Sequence, residues 1–373
     1  MLVRLRGTEN CVYDDARIHL MITSLEVENF RCFRHLVVDG LKRFNIVVGD
    51  SGSGKTAFLE AFFVLGGANP EIWTRMRQWR GAGSSIRLSG TRASYESVFR
   101  DIFSDHRKDR GAHFKLTESS GRTRSLDIRY PNQDKYSMPV KDGDESRGEN
   151  AFVVQPIAFN WKINNREYRS KVEYKEGKLN FSGFDVVYPA WFSSPLINDA
   201  SLIGPYFSEQ LSIKNKTEPL ISAVREIFPY IHNLSLESIA GEAVLCVSVE
   251  GIREKLPLGN ISSGLNKYVM LLISIAANPG GVMLIDEFET GFYYKNVSTI
   301  LTSIFDFCKR HNVQIIATTH SYEFLQALLP IMKREEESEH ELVLLRSERT
   351  RSGCTVKILG EPAAAIESNF EVR

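Results

Sequence analysis

The 373-residue chain has little cysteine, and what it has is scattered. The five residues, Cys11, Cys32, Cys246, Cys308 and Cys354, form no CxxC pair. That argues against a zinc site or a disulfide framework and points to a reducing, cytoplasmic compartment. The eight histidines show no metal-ligand spacing, and no HNH or other nuclease signature is present. Long apolar runs are missing too. Tyr268 to Ala277 is among the longest, about half of the roughly 20 residues that a membrane-spanning helix needs. The N-terminus lacks the apolar core of a signal peptide. Net charge is also missing: 46 Lys and Arg balance 46 Asp and Glu. That excludes a uniformly basic nucleic-acid binder but not a local patch. With 43% hydrophobic residues, global disorder is excluded.

Along the chain, residues 1–20 have no clear periodicity. They read either as an extension upstream of a functional start at Met21 or as an extra edge strand. From Met21 a strand pattern begins, with Leu25 and Val27 alternating with Ser24, Glu26 and Glu28. Phe44 to Val48 reads as a buried strand, followed by a glycine-rich turn and an apolar helix from about Thr56 to Leu65. This strand–loop–helix order predicts an α/β fold. Residues 21–94 are expected to form an N-terminal lobe and 95–190 a β-rich insertion. In that insertion, Ala158–Ile163, Tyr168–Tyr174 and Leu179–Phe181 make a meander around Asn164-Asn165 and Lys175–Lys178. Residues 191–260 read as helical, and 261–373 as a C-terminal lobe in which the α/β pattern resumes. No heptad run is long enough for a coiled coil.

Four motifs carry chemistry. The first is Gly49-Asp50-Ser51-Gly52-Ser53-Gly54-Lys55-Thr56, which matches G-x-x-x-x-G-K-[ST] between a strand and a helix. Its glycines let successive N–H groups turn toward phosphate oxygens, and the helix N-terminus adds partial positive charge. Lys55 would reach the β- and γ-phosphates, and Thr56 would hold Mg²⁺. The second is the apolar run Val282 to Ile285 ending in Asp286-Glu287, at the strand end where open α/β sheets place ligands. Asp286 would hold Mg²⁺ and Glu287 would polarise the attacking water. The third is Ile315 to Thr319 ending in His320, 34 residues after Asp286; the imidazole there could bond the γ-phosphate. The fourth is Ile261-Ser262-Ser263-Gly264-Leu265, opening a helix 24 residues before Asp286. Alone it is only an N-cap.

In this order the four motifs resemble the heads of ABC-type ATPases, and more narrowly the RecF, SMC and OLD-like group. Asn29-Phe30-Arg31 before the P-loop is similar to that group's opening strands. Gly67 to Glu71, Trp79-Arg80-Gly81 and Tyr95 to Phe99 with Phe103 resemble stand-alone ATPases found beside nucleases in bacterial defence loci. The resemblance implies a P-loop NTPase head with a mixed sheet that takes ATP and Mg²⁺. It also implies a homodimer, or a larger homo-oligomer, that sandwiches ATP. Ser262, Ser263 and Gly264 would then meet the γ-phosphate held by the partner, and Arg31 would lie near the nucleotide. Glu289 to Tyr293 would be the dimer-contacting loop. Ser263 stands where many such proteins have glycine, and Tyr293 where related sequences often carry histidine. No Q-loop residue is assignable, Gln155 being a weak candidate.

Only 231 residues separate Lys55 from Asp286, too few for a coiled-coil excursion, and 53 follow His320, too few for a fused TOPRIM nuclease. The expectation is therefore an ATPase subunit of a prokaryotic anti-phage defence module with a separate effector, such as a nuclease or toxin, and no membrane partner. Two alternatives stay open: an ATP-gated scaffold that does not hydrolyse, and a RecF-like DNA-repair ATPase. The acid-free stretch 72–95 holds Arg75, Arg77, Arg80, Arg87 and Arg92. It is either a nucleic-acid groove or, the reading favoured here, a set of arginines that are solvated or paired with distant carboxylates.

Overall fold

The computed structural model describes residues 21–67, 69–80, 92–130, 157–175, 178–184, 188–195, 203–334, 341–360 and 362–368. The expectations placed on residues 1–20, on Gln155 and on Arg87 fall outside them.

The chain opens with β1 (Ile22–Phe30) and β2 (Phe33–Asp39), an antiparallel pair. β3 (Phe44–Val48) leads through the glycine loop into α1 (Lys55–Gly66), followed by α2 (Glu71–Trp79) and α3 (Arg92–Phe99). Five strands follow: β4 (Ala112–Glu118), β5 (Thr123–Arg129), β6 (Ile157–Ile163), β7 (Arg166–Lys175) and β8 (Lys178–Ser182). β1 pairs with β4, so a seven-stranded antiparallel sheet runs β2-β1-β4-β5-β6-β7-β8. The expected division of this region into an N-terminal lobe and an insertion is therefore corrected: the two stretches share one sheet. Local alternation identifies strands, but it does not say that β1 takes a partner about ninety residues away.

A second, six-stranded sheet contains the glycine loop. Its order is β16-β15-β3-β14-β13-β9, built from β9 (Ala190–Ser193), β13 (Val282–Ile285), β14 (Gln314–Thr318), β15 (Leu342–Thr350) and β16 (Gly353–Leu359) around β3. All its pairings are parallel except β15 with β16, so the sheet is mixed. β3, β14 and β13 are buried at every residue, as expected for strands covered on both faces.

Between β9 and β13 lie α4 (Gly204–Tyr206), which continues as a π-helix over Phe207–Ser212, and α5 (Glu218–Ile227). The hairpin β10 (Ile231–Ile239) and β11 (Glu242–Val249) follows, with the short β12 (Leu256–Pro257), and then α6 (Ser263–Ala277). The helical reading of 191–260 is thus corrected: β10, β11 and β12 form a three-stranded sheet there. The hairpin turns at Ala240-Gly241, both with positive φ, and its outward face carries enough polar residues to mask the alternation of Leu234 and Leu236. The chain ends with α7 (Val297–His311), α8 (Tyr322–Arg334) and α9 (Pro362–Ser368) placed among these strands.

The layers explain α1. One hydrophobic cluster joins α1 to the seven-stranded sheet and to one face of the six-stranded sheet. A second joins the other face to α5, α6, α7 and α8. Because α1 lies between two sheets, it is buried all round rather than along one stripe. Even Glu60 is inside, with 3% of its side chain exposed.

Candidate functional site

Three adjacent parallel strands bring their C-terminal ends to one edge. β3 delivers the glycine loop, β14 delivers Thr318 to His320, and β13 delivers Asp286 and Glu287. Residues distant in sequence are thereby assembled where an open α/β sheet binds its ligands.

The loop is shaped by glycine. Gly49, Gly52 and Gly54 have φ of 136°, 76° and 105°, conformations that side chains disfavour. Gly54 also caps α1 and packs against Cys32, Cys354 and Phe33, leaving no room for a methyl group. The Ser347 hydroxyl of β15 donates to the Ser53 carbonyl at 2.8 Å. The Ser53 hydroxyl is buried and has no partner among the described residues. Lys55 folds back over the loop, donating to the carbonyls of Gly49 (2.6 Å) and Asp50 (2.8 Å). Burial lowers its pKa, and Asp286, Asp50, Glu289 and Glu287 oppose that shift. A buried ammonium held only by carbonyls, an orphan hydroxyl and a cradle that excludes Cβ atoms fit a polyphosphate.

Opposite the loop, Thr56 Oγ1 donates to Asp286 Oδ2 at 2.9 Å. Asp286 Oδ1 accepts from Thr318 Oγ1 at 2.6 Å, and the same hydroxyl accepts the Glu287 N–H at 2.9 Å. A hydroxyl beside an acceptor-only carboxylate is a hard-oxygen donor set that suits Mg²⁺. Glu287 is exposed and has φ of 49°. Left-handed backbone is unusual for glutamate, and such strain gathers at functional sites. His320 is also exposed; its backbone N–H donates to Glu289 Oε1 at 2.8 Å.

Among the described residues, the helix-opening serines make no hydrogen bond to this cluster. Ser262 caps α6, its hydroxyl accepting from Leu265 N at 3.1 Å, as a serine N-cap does. Ser262 and Ser263 are exposed, and a Cβ on Gly264 would lie 2.7 Å from the Gly291 carbonyl. The α6 start therefore packs against the loop after Glu287. Beyond Gly291 that loop exposes Tyr293 (58%) and Tyr294 (63%), rings 4.8 Å apart.

Arg31, also left-handed (φ 52°), points inward. Its Nε donates to Glu60 Oε2 at 3.2 Å and its guanidinium lies 4.8 Å from the Trp73 ring centroid. Arg80 reaches both oxygens of Glu60, at 2.6 and 2.7 Å. Arg75 pairs with Glu71, and Arg77 donates to the carbonyls of Ser97 and Val98. These three arginines are engaged within the chain and do not line an open groove. Beside the turn that carries Arg31 and Cys32 is a cavity of about 610 Å³, bordered by Asn29, Arg34, Asp105, Arg107, Arg110 and His113 among others.

Glu60 and Lys267 escape motif reading, and Thr318 and Glu289 lie in segments that the motifs include without giving either side chain a role, because only tertiary contacts reveal them. Lys267, on α6, donates to the carbonyls of Glu287, Phe288 and Thr290 at 3.0, 3.1 and 2.9 Å. Desolvation depresses its pKa to about 8, against the pull of Glu289, Glu287 and Asp286. Since the unfolded chain holds this proton to higher pH, wild-type stability should rise as pH increases from about 8 toward 10.5. Against Lys267→Met, which cannot titrate, the gain is expected to be about 2–3 kcal/mol. Urea melts of both proteins across that window check it, and parallel curves would refute it.

Comparison with known proteins follows the same lines. A family model described as "AAA domain, putative AbiEii toxin, Type IV TA system" matches residues 44–326. A protein named "ATP/GTP phosphatase" from Helicobacter pylori is 23% identical over 346 residues, 87% of this chain and 91% of that protein. The DNA replication and repair protein RecF of Heliobacterium modesticaldum is 34% identical over 92 residues, 24% of this chain and 25% of that protein. The SMC head domain from Thermotoga maritima aligns over 91% of this chain and 98% of its own, with 13% identity and a TM-score of 0.48.

Proposed function

The chain belongs to that AAA-domain family, and we propose that it is an ABC-type ATPase head of the RecF/SMC group that hydrolyses ATP with Mg²⁺ as a head-to-head dimer. The observation that carries this reading is the bonded series Thr56–Asp286–Thr318–Glu287, which ties the glycine loop to the Asp286 carboxylate and to the Glu287 backbone N–H. Thr56 and Asp286 would hold the metal, which when bound neutralises phosphate charge. Loop N–H groups from Gly49 to Thr56 would cradle the phosphates, with Lys55 exchanging its carbonyl partners for phosphate oxygens. Glu287 would orient and polarise the attacking water, and His320 would bond the γ-phosphate. The cavity beside Asn29 and Arg34 would take the base and ribose. The β1–β2 turn that borders it also packs Cys32 and Phe33 on Gly54.

Dimerisation is supported by exposure. Ser262 caps α6 and Ser263 opens it, yet both are exposed, and the loop packed against the start of α6 carries two exposed tyrosines. An exposed aromatic pair suits an interface, and the serines would act on the nucleotide held by the partner. The biological role we infer is the sensor or motor subunit of a prokaryotic defence module, with a nuclease or toxin as separate effector. The toxin–antitoxin wording of the family description supports that setting. A RecF-like role on DNA has less support, because Arg75, Arg77 and Arg80 have partners inside the chain.

Glu287→Gln should release phosphate about a hundredfold more slowly than wild type while still binding ATP. It should also accumulate as an ATP-dependent dimer in light scattering. Wild-type turnover no higher than that of the variant would remove the hydrolase reading and leave the nucleotide-gated scaffold.

A further inference from the structure

Glu289 is three residues past Asp286, at the start of the loop expected to contact a partner, and no motif gives its carboxylate a role at the nucleotide. Its two carboxylate oxygens are treated differently. Oε1 accepts the backbone N–H of His320 at 2.8 Å, tying the end of β14 to the loop after β13. Oε2 is buried and has no hydrogen-bond partner among the described residues. An ionised carboxylate accepts through both oxygens, and a buried acceptor without a donor costs free energy. A purely structural strap would have both oxygens satisfied. The donor able to complete it is close at hand. The His320 imidazole is exposed, and neither ring nitrogen has a partner among the described residues. It belongs to the very residue whose N–H the carboxylate already holds.

We propose that Glu289 is the positioning residue of His320. One carboxylate oxygen fixes the His320 backbone, and the other accepts an imidazole N–H when the nucleotide fills the site. The second contact selects the tautomer, because a ring nitrogen that donates to a carboxylate leaves the other nitrogen facing the opposite way. Glu289 thereby does for His320 what a carboxylate does for a metal-bound or general-base histidine. Glu289 acts electrostatically on Lys267 from α6 and on Lys55 from the glycine loop. Asp286 and Glu287 on the loop after β13 and Asp50 on the glycine loop act on Lys55 as Glu289 does, and Glu323 lies at the start of α8, three residues past His320. Glu323 is occupied with Ser321. This inference rests on the ATPase reading above.

The test uses the full chain and measures kcat and the affinity for a fluorescent ATP analogue separately. Glu289→Gln retains an acceptor for the His320 N–H but replaces Oε2 by a donating amide. It should lose about tenfold to a hundredfold in kcat, with nucleotide affinity unchanged. Glu289→Ala should fall as far as His320→Ala, and the double variant no further, since the two residues act as a unit. Wild-type kcat in Glu289→Gln, losses that multiply in the double variant, or a parallel loss of nucleotide affinity would each overturn the proposal. The two readings fail differently. A wild type that releases no phosphate ends the ATPase reading, whereas a working wild type matched by Glu289→Gln ends only this one.

Discussion

Replacing Glu60 by alanine is expected to destabilise the protein by about 3–5 kcal/mol, the cost of leaving buried charge without its partner. Glu60 sits midway along α1, sandwiched between the two large sheets, with 3% of its side chain exposed. It accepts three hydrogen bonds from two guanidiniums, one from Arg31 and two from Arg80. Arg31 is the critical neighbour. Its side chain is 11% exposed, burial already lowers its pKa, and its Nη2 has no partner among the described residues. Trp73 lies against the guanidinium but offers only a ring face. Without the Glu60 carboxylate, Arg31 can neither neutralise, because guanidinium holds its proton too firmly, nor reach water easily.

The same reasoning ranks the partner substitutions. Arg80 is 42% exposed and its charge is partly solvated, so Arg80→Met should cost distinctly less than Glu60→Ala. Removing Arg31 and Glu60 together by Met and Leu should recover much of the loss, since apolar residues of similar volume can replace a buried ion pair. Urea denaturation of the four proteins decides it. A Glu60→Ala penalty below about 1 kcal/mol, the scale of an exposed pair, would show that the cluster is solvated in solution.

This cluster also shows where sequence reading stops. Arg80 is legible as part of an acid-free arginine stretch, for which solvation or pairing with distant carboxylates is the favoured reading. Nothing local could identify Glu60 as the partner, because it lies inside an apolar helix twenty residues earlier. The glycine loop, the apolar strands ending in Asp286 and His320, and the Ser262 cap were legible because each is set by a few consecutive residues. Thr318 was not. A threonine at a strand end is unremarkable until β14 is placed beside β13, where its hydroxyl spans Asp286 and Glu287. The seven-stranded sheet teaches the same thing at larger scale. Alternation reveals strands, while pairing is decided by which apolar faces can share α1.

Gly49→Ala and Gly52→Ala form a pair that separates two costs of a side chain in the glycine loop. Both residues have positive φ, 136° and 76°, so alanine at either position pays for backbone strain of order 1–3 kcal/mol. Only Gly49 pays more. Its added Cβ would lie 2.1 Å from the Ser347 carbonyl oxygen and 3.1 Å from the Ser53 hydroxyl, while at Gly52 nothing lies within 4 Å. The Ser347 carbonyl cannot retreat freely, since Ser347 sits within β15, paired with Val356 of β16, and its hydroxyl holds the Ser53 carbonyl. Overpacking against fixed backbone adds about another 1–3 kcal/mol. Gly49→Ala should therefore lose roughly 2–6 kcal/mol in total. It should also lose more than about tenfold in ATP affinity, because loop N–H groups displaced from the phosphates give up charge-assisted hydrogen bonds. Gly52→Ala should remain within about 1–3 kcal/mol of wild type. Thermal melts and fluorescent-nucleotide titrations measure both quantities. Equal losses at the two positions would mean that strain alone governs the loop and that β15 yields to accommodate a methyl group.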